Sequence, residues 1–179
     1  YGLTKGQYSP TSPSGLVTKS TPVGSLDTPF NPLSLALGAE ASFVARTLDS
    51  DRKHLTSVLR QAVEHRGASL IEIYQNCPIF NDGAFDAIKG RDTEDALIPL
   101  VHGEPIRFGA EGQHGVSRMP DGTLRVVDVA EYGTKRLLVH DAHAPNPEVA
   151  FALSRLADPA SLRTTAIGVY RDVHRATYD

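Results

Sequence analysis

The chain is poor in sulfur. Its 179 residues hold one cysteine, Cys77, and one methionine, Met119. A single thiol excludes an internal disulfide and suits a reducing, cytoplasmic compartment. It also excludes an iron–sulfur cluster held by this chain alone, because such clusters normally take several thiolates. A surplus of positive charge is lacking too: the formal net charge is -3. Nothing electrostatic therefore argues for a nucleic-acid partner. No apolar run approaches the roughly 18 residues that a membrane span needs. No secretory signal pattern and no internal repeat is visible. The methionine is internal, so Tyr1 reads as following an N-terminal part that lies upstream.

What is present is a globular alternation of elements. Residues 1–31 are rich in Gly, Ser, Thr and Pro and show no sustained period. A loop of this length in a compact protein is functional or disordered. Asn31-Pro32 supplies a helix cap and a first-turn proline, and Gly38 stops the short helix. Residues 41–47 read as a buried strand. Ser50 or Asp51 caps a second helix, in which Leu55, Val58, Leu59, Ala62 and Val63 share one face and Gly67 ends the run. Residues 69–74 are the next strand. Strand, helix, strand at this spacing predicts a βαβ unit with a parallel pair.

Beyond Asn81 the texture changes. A short helix is predicted around residues 93–100. Pro120-Asp121-Gly122 predicts a hairpin turn between strands at 115–118 and 123–129. Residues 136–139 read as one more strand. Asn146-Pro147-Glu148 opens a helix with Val149, Ala152, Leu153 and Leu156 on one face, ended by Asp158-Pro159. Residues 160–179 show no period and read as an arm lying on a partner.

Ligands of open parallel sheets bind outside the carboxyl ends of the strands. Residues 48–53 follow one such end and residues 77–81 follow the other. If Tyr1 follows an upstream strand, residues 1–7 share that edge. The edge then offers the backbone N–H groups of Gly2 and Gly6, the Thr4 hydroxyl, and Lys5, Arg52 and Lys53. Such groups suit a phosphate or carboxylate. The plain alternative is that Arg52 and Lys53, like Lys19, are solvated surface cations. Cys77 before a proline reads as a small buried hydrophobe rather than a nucleophile. His140-Asp141-Ala142-His143 lacks a third spaced ligand and is a weak metal signal. Tyr8-Ser9-Pro10-Thr11-Ser12-Pro13-Ser14 matches one heptad of the RNA polymerase II tail. A single copy beside a globular pattern reads as a proline-stiffened loop.

Tyr1-Gly2-Leu3-Thr4-Lys5-Gly6-Gln7-Tyr8-Ser9-Pro10-Thr11-Ser12 resembles a loop of the 2-oxoacid:ferredoxin oxidoreductase beta subunit. The resemblance continues through Lys19-Ser20-Thr21-Pro22-Val23-Gly24, Asp27-Thr28-Pro29-Phe30-Asn31-Pro32 and Leu35-Ala36-Leu37-Gly38-Ala39-Glu40. It extends through Phe43-Val44-Ala45-Arg46 and Ile71-Glu72-Ile73-Tyr74-Gln75-Asn76-Cys77-Pro78-Ile79-Phe80-Asn81. Ile167-Gly168-Val169-Tyr170-Arg171-Asp172-Val173 also fits. The Asn-Cys-Pro-Ile-Phe-Asn form is most similar to the 2-oxoglutarate-type enzyme of actinobacteria.

This resemblance implies an α/β fold: a three-layer thiamine-diphosphate-binding fold with a parallel sheet, N-terminally incomplete, plus a C-terminal elaboration with a hairpin and a helix. It implies residues 1–90 as the second half of the cofactor domain. Residues 91–179 follow as an extension packed on that domain or on a partner subunit. The implied reaction is oxidative decarboxylation of a 2-oxoacid, 2-oxoglutarate by type, with CoA, giving acyl-CoA and CO2 and reducing ferredoxin. The implied cofactors are thiamine diphosphate, Mg2+ and an iron–sulfur cluster, with metal and cluster ligands upstream of Tyr1. The implied partners are an alpha subunit, a second beta subunit and ferredoxin. Gly2, Leu3 and Thr4 would line thiamine diphosphate, Lys5 would face 2-oxoacid or CoA, and Lys53 would be a further candidate for CoA phosphate. The activating glutamate comes from the other subunit, so neither Glu40 nor Glu72 takes that role. The rival readings are a non-redox thiamine-dependent enzyme subunit and a non-catalytic α/β interaction module. A parallel sheet without its first strands would expose an apolar edge and face, which predicts a covering partner.

Overall fold

The computed structural model describes residues 6–90, 93–157 and 162–176. Asn31 caps the first helix, α1 (Pro32–Gly38), by accepting the Ser34 N–H at 3.0 Å. Strand β1 (Phe43–Leu48) is buried along its whole length. Asp51 is the cap of α2 (Arg52–Glu64), accepting the His54 N–H. Strand β2 (Ser69–Tyr74) then lies parallel to β1, from Phe43 opposite Ser69 to Leu48 opposite Tyr74. The predicted βαβ unit is therefore present.

The second half of the chain completes the same sheet. Residues 97–100 form a strand, β3 (Leu97–Leu100), where a short helix is predicted. Pro99 sits in that strand, and β3 is an edge strand, the position in which a proline costs a sheet no ladder bond. Two strands follow, β4 (Arg107–Phe108) and β5 (His114–Arg118), and then β6 (Leu124–Asp128). β5 and β6 are the predicted hairpin, and with β4 they make a separate three-stranded sheet. Val129–Tyr132 forms the one-turn helix α3, followed by a tighter turn at Thr134–Arg136. Residues 136–139, predicted as a strand, form no regular ladder. Leu138 donates to Val116 and its carbonyl accepts from Ile106, and one isolated bridge joins Pro105 to Val139. Helix α4 (Glu148–Ser154) begins where expected, with the Glu148 N–H on Asn146 Oδ1. It ends at Ser154, and the predicted stop at Asp158-Pro159 lies outside the described residues.

The largest difference from the sequence reading is β7 (Thr165–Asp172), which lies in the stretch expected to be an arm on a partner. It runs antiparallel to β1 and parallel to β3, so the four-stranded order is β2-β1-β7-β3 and the sheet is mixed. β7 is buried on both faces, and such strands carry no alternation for a periodicity argument to find. On one face Val58 of α2 packs with Phe43, Ala45 and Val169. On the other, Leu33, Leu37 and Leu153 of α1 and α4 pack with Val44, Ile98, Ala166 and Tyr170, joined by Phe108 and Val116 of the small sheet. The result is a three-layer α/β arrangement with the hairpin sheet as its elaboration.

Candidate functional site

The parallel β1–β2 pair brings its two carboxyl-end loops together. The Asp49 N–H donates to the Tyr74 carbonyl at 3.0 Å, and the Asn76 N–H donates to Asp49 Oδ2 at 3.2 Å. Lys89 Nζ lies 3.1 Å from Asp49 Oδ1. Burial works against the Asp49 charge, but Lys89 and the Asn76 N–H outweigh it and hold its pKa below the usual carboxylate range. The Asn76 side chain closes the loop by donating to Asp82 and accepting the Gly83 N–H. The first described residue reaches the same edge: Gly6 has positive φ, and a Cβ there would meet the Phe80 ring at 3.2 Å. Two of the three predicted segments thus meet, and the described end of the third touches them.

Cys77 sits in this corner, half-buried. Backbone N–H groups of Phe80 and Ile79, and then of Asn81, hold its thiol below the ordinary cysteine pKa. The sequence reading gave it a packing role; the structure gives it a local field that favours thiolate.

Beneath the corner lies a buried charged cluster that the sequence reading did not single out. Arg46, 3% exposed, donates from Nε to Glu72 Oε2 at 2.7 Å. It also donates to the Tyr170 hydroxyl at 3.2 Å and lies 4.9 Å above the Tyr74 ring centroid. Burial disfavours the guanidinium charge, but Tyr170, Glu72 and Tyr74 together raise its pKa. Burial pushes the Tyr74 hydroxyl up to about 12. The signal available in the sequence was an arginine inside an apolar strand, which has to be paired when it is buried.

These residues line a cleft of about 740 Å³. Arg46, Glu72, Asn76 and Cys77 form one side, with Phe30 and Arg155 on the others. The size falls within the roughly 300–1,000 Å³ typical of small-molecule sites. Gly2, Leu3, Thr4 and Lys5 lie outside the described residues. Lys53 stands exposed in the first turn of α2 and does not line the cleft. Among the described residues, no group of three or more His, Cys, Asp or Glu can hold a metal ion. In the histidine-rich stretch, His140 is buried and bonded through Nε2 to the Val169 carbonyl at 2.7 Å, and burial lowers its pKa. His143 instead lies against His102, ring centroids 4.2 Å apart.

The class this architecture belongs to is given by comparison. Residues 1–73 match the family described as thiamine pyrophosphate enzyme, C-terminal TPP binding domain. The chain is 58% identical, over all of its 179 residues, to 2-oxoglutarate oxidoreductase subunit KorB of Mycobacterium tuberculosis, covering 48% of that protein. It is 44% identical over 82 residues to the 2-oxoacid:ferredoxin oxidoreductase subunit beta of Saccharolobus solfataricus, covering 46% of this chain and 27% of that one. Among solved structures, the 2-oxoglutarate:ferredoxin oxidoreductase from Magnetococcus marinus with 2-oxoglutarate, coenzyme A and succinyl-CoA bound matches 99% of this chain and 45% of that one. The TM-score is 0.61 and the identity 26%.

The fold is therefore the α/β fold of thiamine-dependent enzymes. Within that class the chain is a relative of the 2-oxoacid:ferredoxin oxidoreductase beta subunits. It spans about half the length of the curated relatives that it matches end to end. No helix among the described residues is long and apolar enough to cross a membrane.

Proposed function

We propose that this chain serves in the beta subunit of a thiamine-diphosphate-dependent 2-oxoglutarate:ferredoxin oxidoreductase. The reaction takes 2-oxoglutarate and CoA to succinyl-CoA and CO2, with ferredoxin reduced. The observation that carries the reading is the 58% identity maintained across all 179 residues, including the part beyond the matched cofactor domain. In this reading residues 1–90 form the cofactor half, and residues 91–179 extend it, adding β3 and β7 to its sheet and the hairpin beside it. An alpha subunit, a second beta subunit and ferredoxin are the partners, and the compartment is the cytoplasm.

The donor set of the chain fits such a division of labour. Thiamine diphosphate supplies the electron sink for decarboxylation when bound. The chain's own contribution would be the cleft at the carboxyl ends of β1 and β2, and Gly2, Leu3 and Thr4 are proposed to line the cofactor. Mg2+ finds no ligand group among the described residues, so its ligands would come from elsewhere. An iron–sulfur cluster could take one thiolate from this chain, Cys77, whose thiol pKa is held below the ordinary value. Lys5 would hold the carboxylate of the 2-oxoacid or a CoA phosphate, and Lys53 would add a surface cation for CoA.

The test is reconstitution with the alpha subunit, thiamine diphosphate and Mg2+, read as 2-oxoglutarate- and CoA-dependent reduction of ferredoxin. Decarboxylation that needs neither CoA nor an electron acceptor would point to a non-redox thiamine enzyme. No binding of thiamine diphosphate by the reconstituted protein, and no turnover, would leave an interaction module.

A further inference from the structure

A second constellation lies at the opposite end of the sheet from the cleft. Ser42 precedes β1, His65 follows α2, and Asp172 ends β7. Ser42 Oγ lies 2.9 Å from His65 Nε2, and His65 Nδ1 lies 2.8 Å from Asp172 Oδ1. In the tautomer whose Nδ1–H donates to the Asp172 carboxylate, the Nε2 lone pair faces the serine hydroxyl. That is the arrangement in which a serine is activated as a nucleophile, recognised by geometry and not by chain order.

The surroundings hold the relay in place. The His65 side chain is only 3% exposed, against 29% for Asp172. The His65 ring lies 5.4 Å from the Phe43 ring, centroid to centroid. Asp172 is fixed through its own backbone, its N–H on the Ala142 carbonyl at 2.7 Å and its carbonyl accepting from His143. Ser42 is half-buried, and its hydroxyl also lies 3.5 Å from the Ala68 carbonyl. Gly67 faces the pair directly: a Cβ there would stand 3.1 Å from both Ser42 Oγ and His65 Nε2. The positive φ of Gly67, +137°, is itself one that favours glycine there.

We infer that Ser42, His65 and Asp172 form a hydrolytic site for small carboxylic esters or thioesters. Ser42 Oγ bonds to the acyl carbon while His65 Nε2 takes its proton. The bond to the leaving group breaks as His65 returns that proton to it, releasing an alcohol or thiol. Water then attacks the acyl-serine, its proton passing through His65 to Ser42 Oγ, and the carboxylic acid leaves. The sequence needs no oxidant, reductant or second substrate besides water.

The purified protein is assayed with p-nitrophenyl acetate and, in parallel, with a fluorophosphonate probe mapped by peptide mass spectrometry. The expected result is hydrolysis about 10²-fold above that of Ser42→Ala, in line with the usual effect of a positioned general base. The probe should sit on Ser42. His65→Gln should lower labelling as well, and Asp172→Asn should shift its pH profile. Ser42→Ala keeps the backbone and decides the matter if the other variants fold poorly. Equal rates for the wild-type protein and Ser42→Ala, with no label on Ser42, would overturn the inference and leave the relay as a latch joining α2 to β1 and β7. Only the latch role is read by thermal stability, so a Tm change without a rate change also counts against the site.

Discussion

Arg46 and Glu72 stand opposite one another in the β1–β2 register, and their side chains meet at 2.7 Å. Tyr74 and Tyr170 flank the pair, and its side chains are only 3% and 16% exposed. Removing one partner would leave the other charge buried and unpaired. Glu72→Gln is expected to lower the unfolding free energy by about 3 kcal/mol, the usual scale for breaking a buried pair. The double change Arg46→Met with Glu72→Leu should recover much of that loss. Urea unfolding of the two variants checks it; equal losses in the single and double variants would show that the cost is not that of an orphaned buried charge.

Gly168 carries a second stability prediction. Its φ is +123, and a Cβ there would lie 2.6 Å from the Leu100 carbonyl oxygen across the β3–β7 ladder. Neither strand can retreat without opening the sheet. Gly168→Ala should cost about 1–3 kcal/mol, the range for forced overpacking, plus backbone strain. A Tm within a degree of the wild-type value would contradict the geometry.

Gly168 also shows why part of the fold was legible in the sequence and part was not. The βαβ unit announced itself because α2 is amphipathic and capped at both ends, and β1 and β2 are bounded by turn signals. The hairpin was marked by Pro120-Asp121-Gly122. β7 gave no such mark: Gly168 interrupts it, Arg171 is buried within it, and both of its faces are covered. β3 was hidden by Pro99, which reads as a breaker unless its strand is known to lie at an edge. At the site, loops 48–53 and 77–81 could be placed on one edge from connectivity alone. The bonds from Asp49 to Asn76 and Lys89 could not, because they join residues far apart in sequence that share no pattern.

Cys77 yields a chemical prediction. Its thiol is held below the ordinary cysteine pKa by N–H groups of the following turn. Alkylation by iodoacetamide should therefore rise with pH through a midpoint below that of a free cysteine peptide measured alongside. A midpoint at or above the peptide's value would mean that the turn does not stabilise the thiolate.

Histidine burial makes stability sensitive to acid. His140 and His54 both have pKa values lowered by burial in the folded chain. The unfolded chain then binds protons first as pH falls below roughly 6.5, the ordinary histidine value. Stability from these groups is complete above that pH and is lost on acidification, levelling only below the folded values. His140→Gln keeps a donor for the Val169 carbonyl and removes the titration. Its Tm should fall less between pH 7 and pH 5 than that of the wild-type protein. Parallel Tm–pH curves would assign the acid sensitivity to other groups.

Lys5 and Lys53 separate the two parts of the proposed substrate site. In the reconstituted enzyme, Lys5→Ala should depress kcat/KM for 2-oxoglutarate or CoA, because a cation at the reacting end acts on the transition state as well as on binding. Lys53 is exposed on α2, so its pairing with a CoA phosphate would be screened. Lys53→Ala should raise the KM for CoA only about two- to fivefold, as for an exposed ion pair, and less at high salt. Unchanged kcat and KM for both substrates in Lys5→Ala would remove Lys5 from the site. An effect of Lys53→Ala that is confined to kcat would place that lysine elsewhere than on CoA.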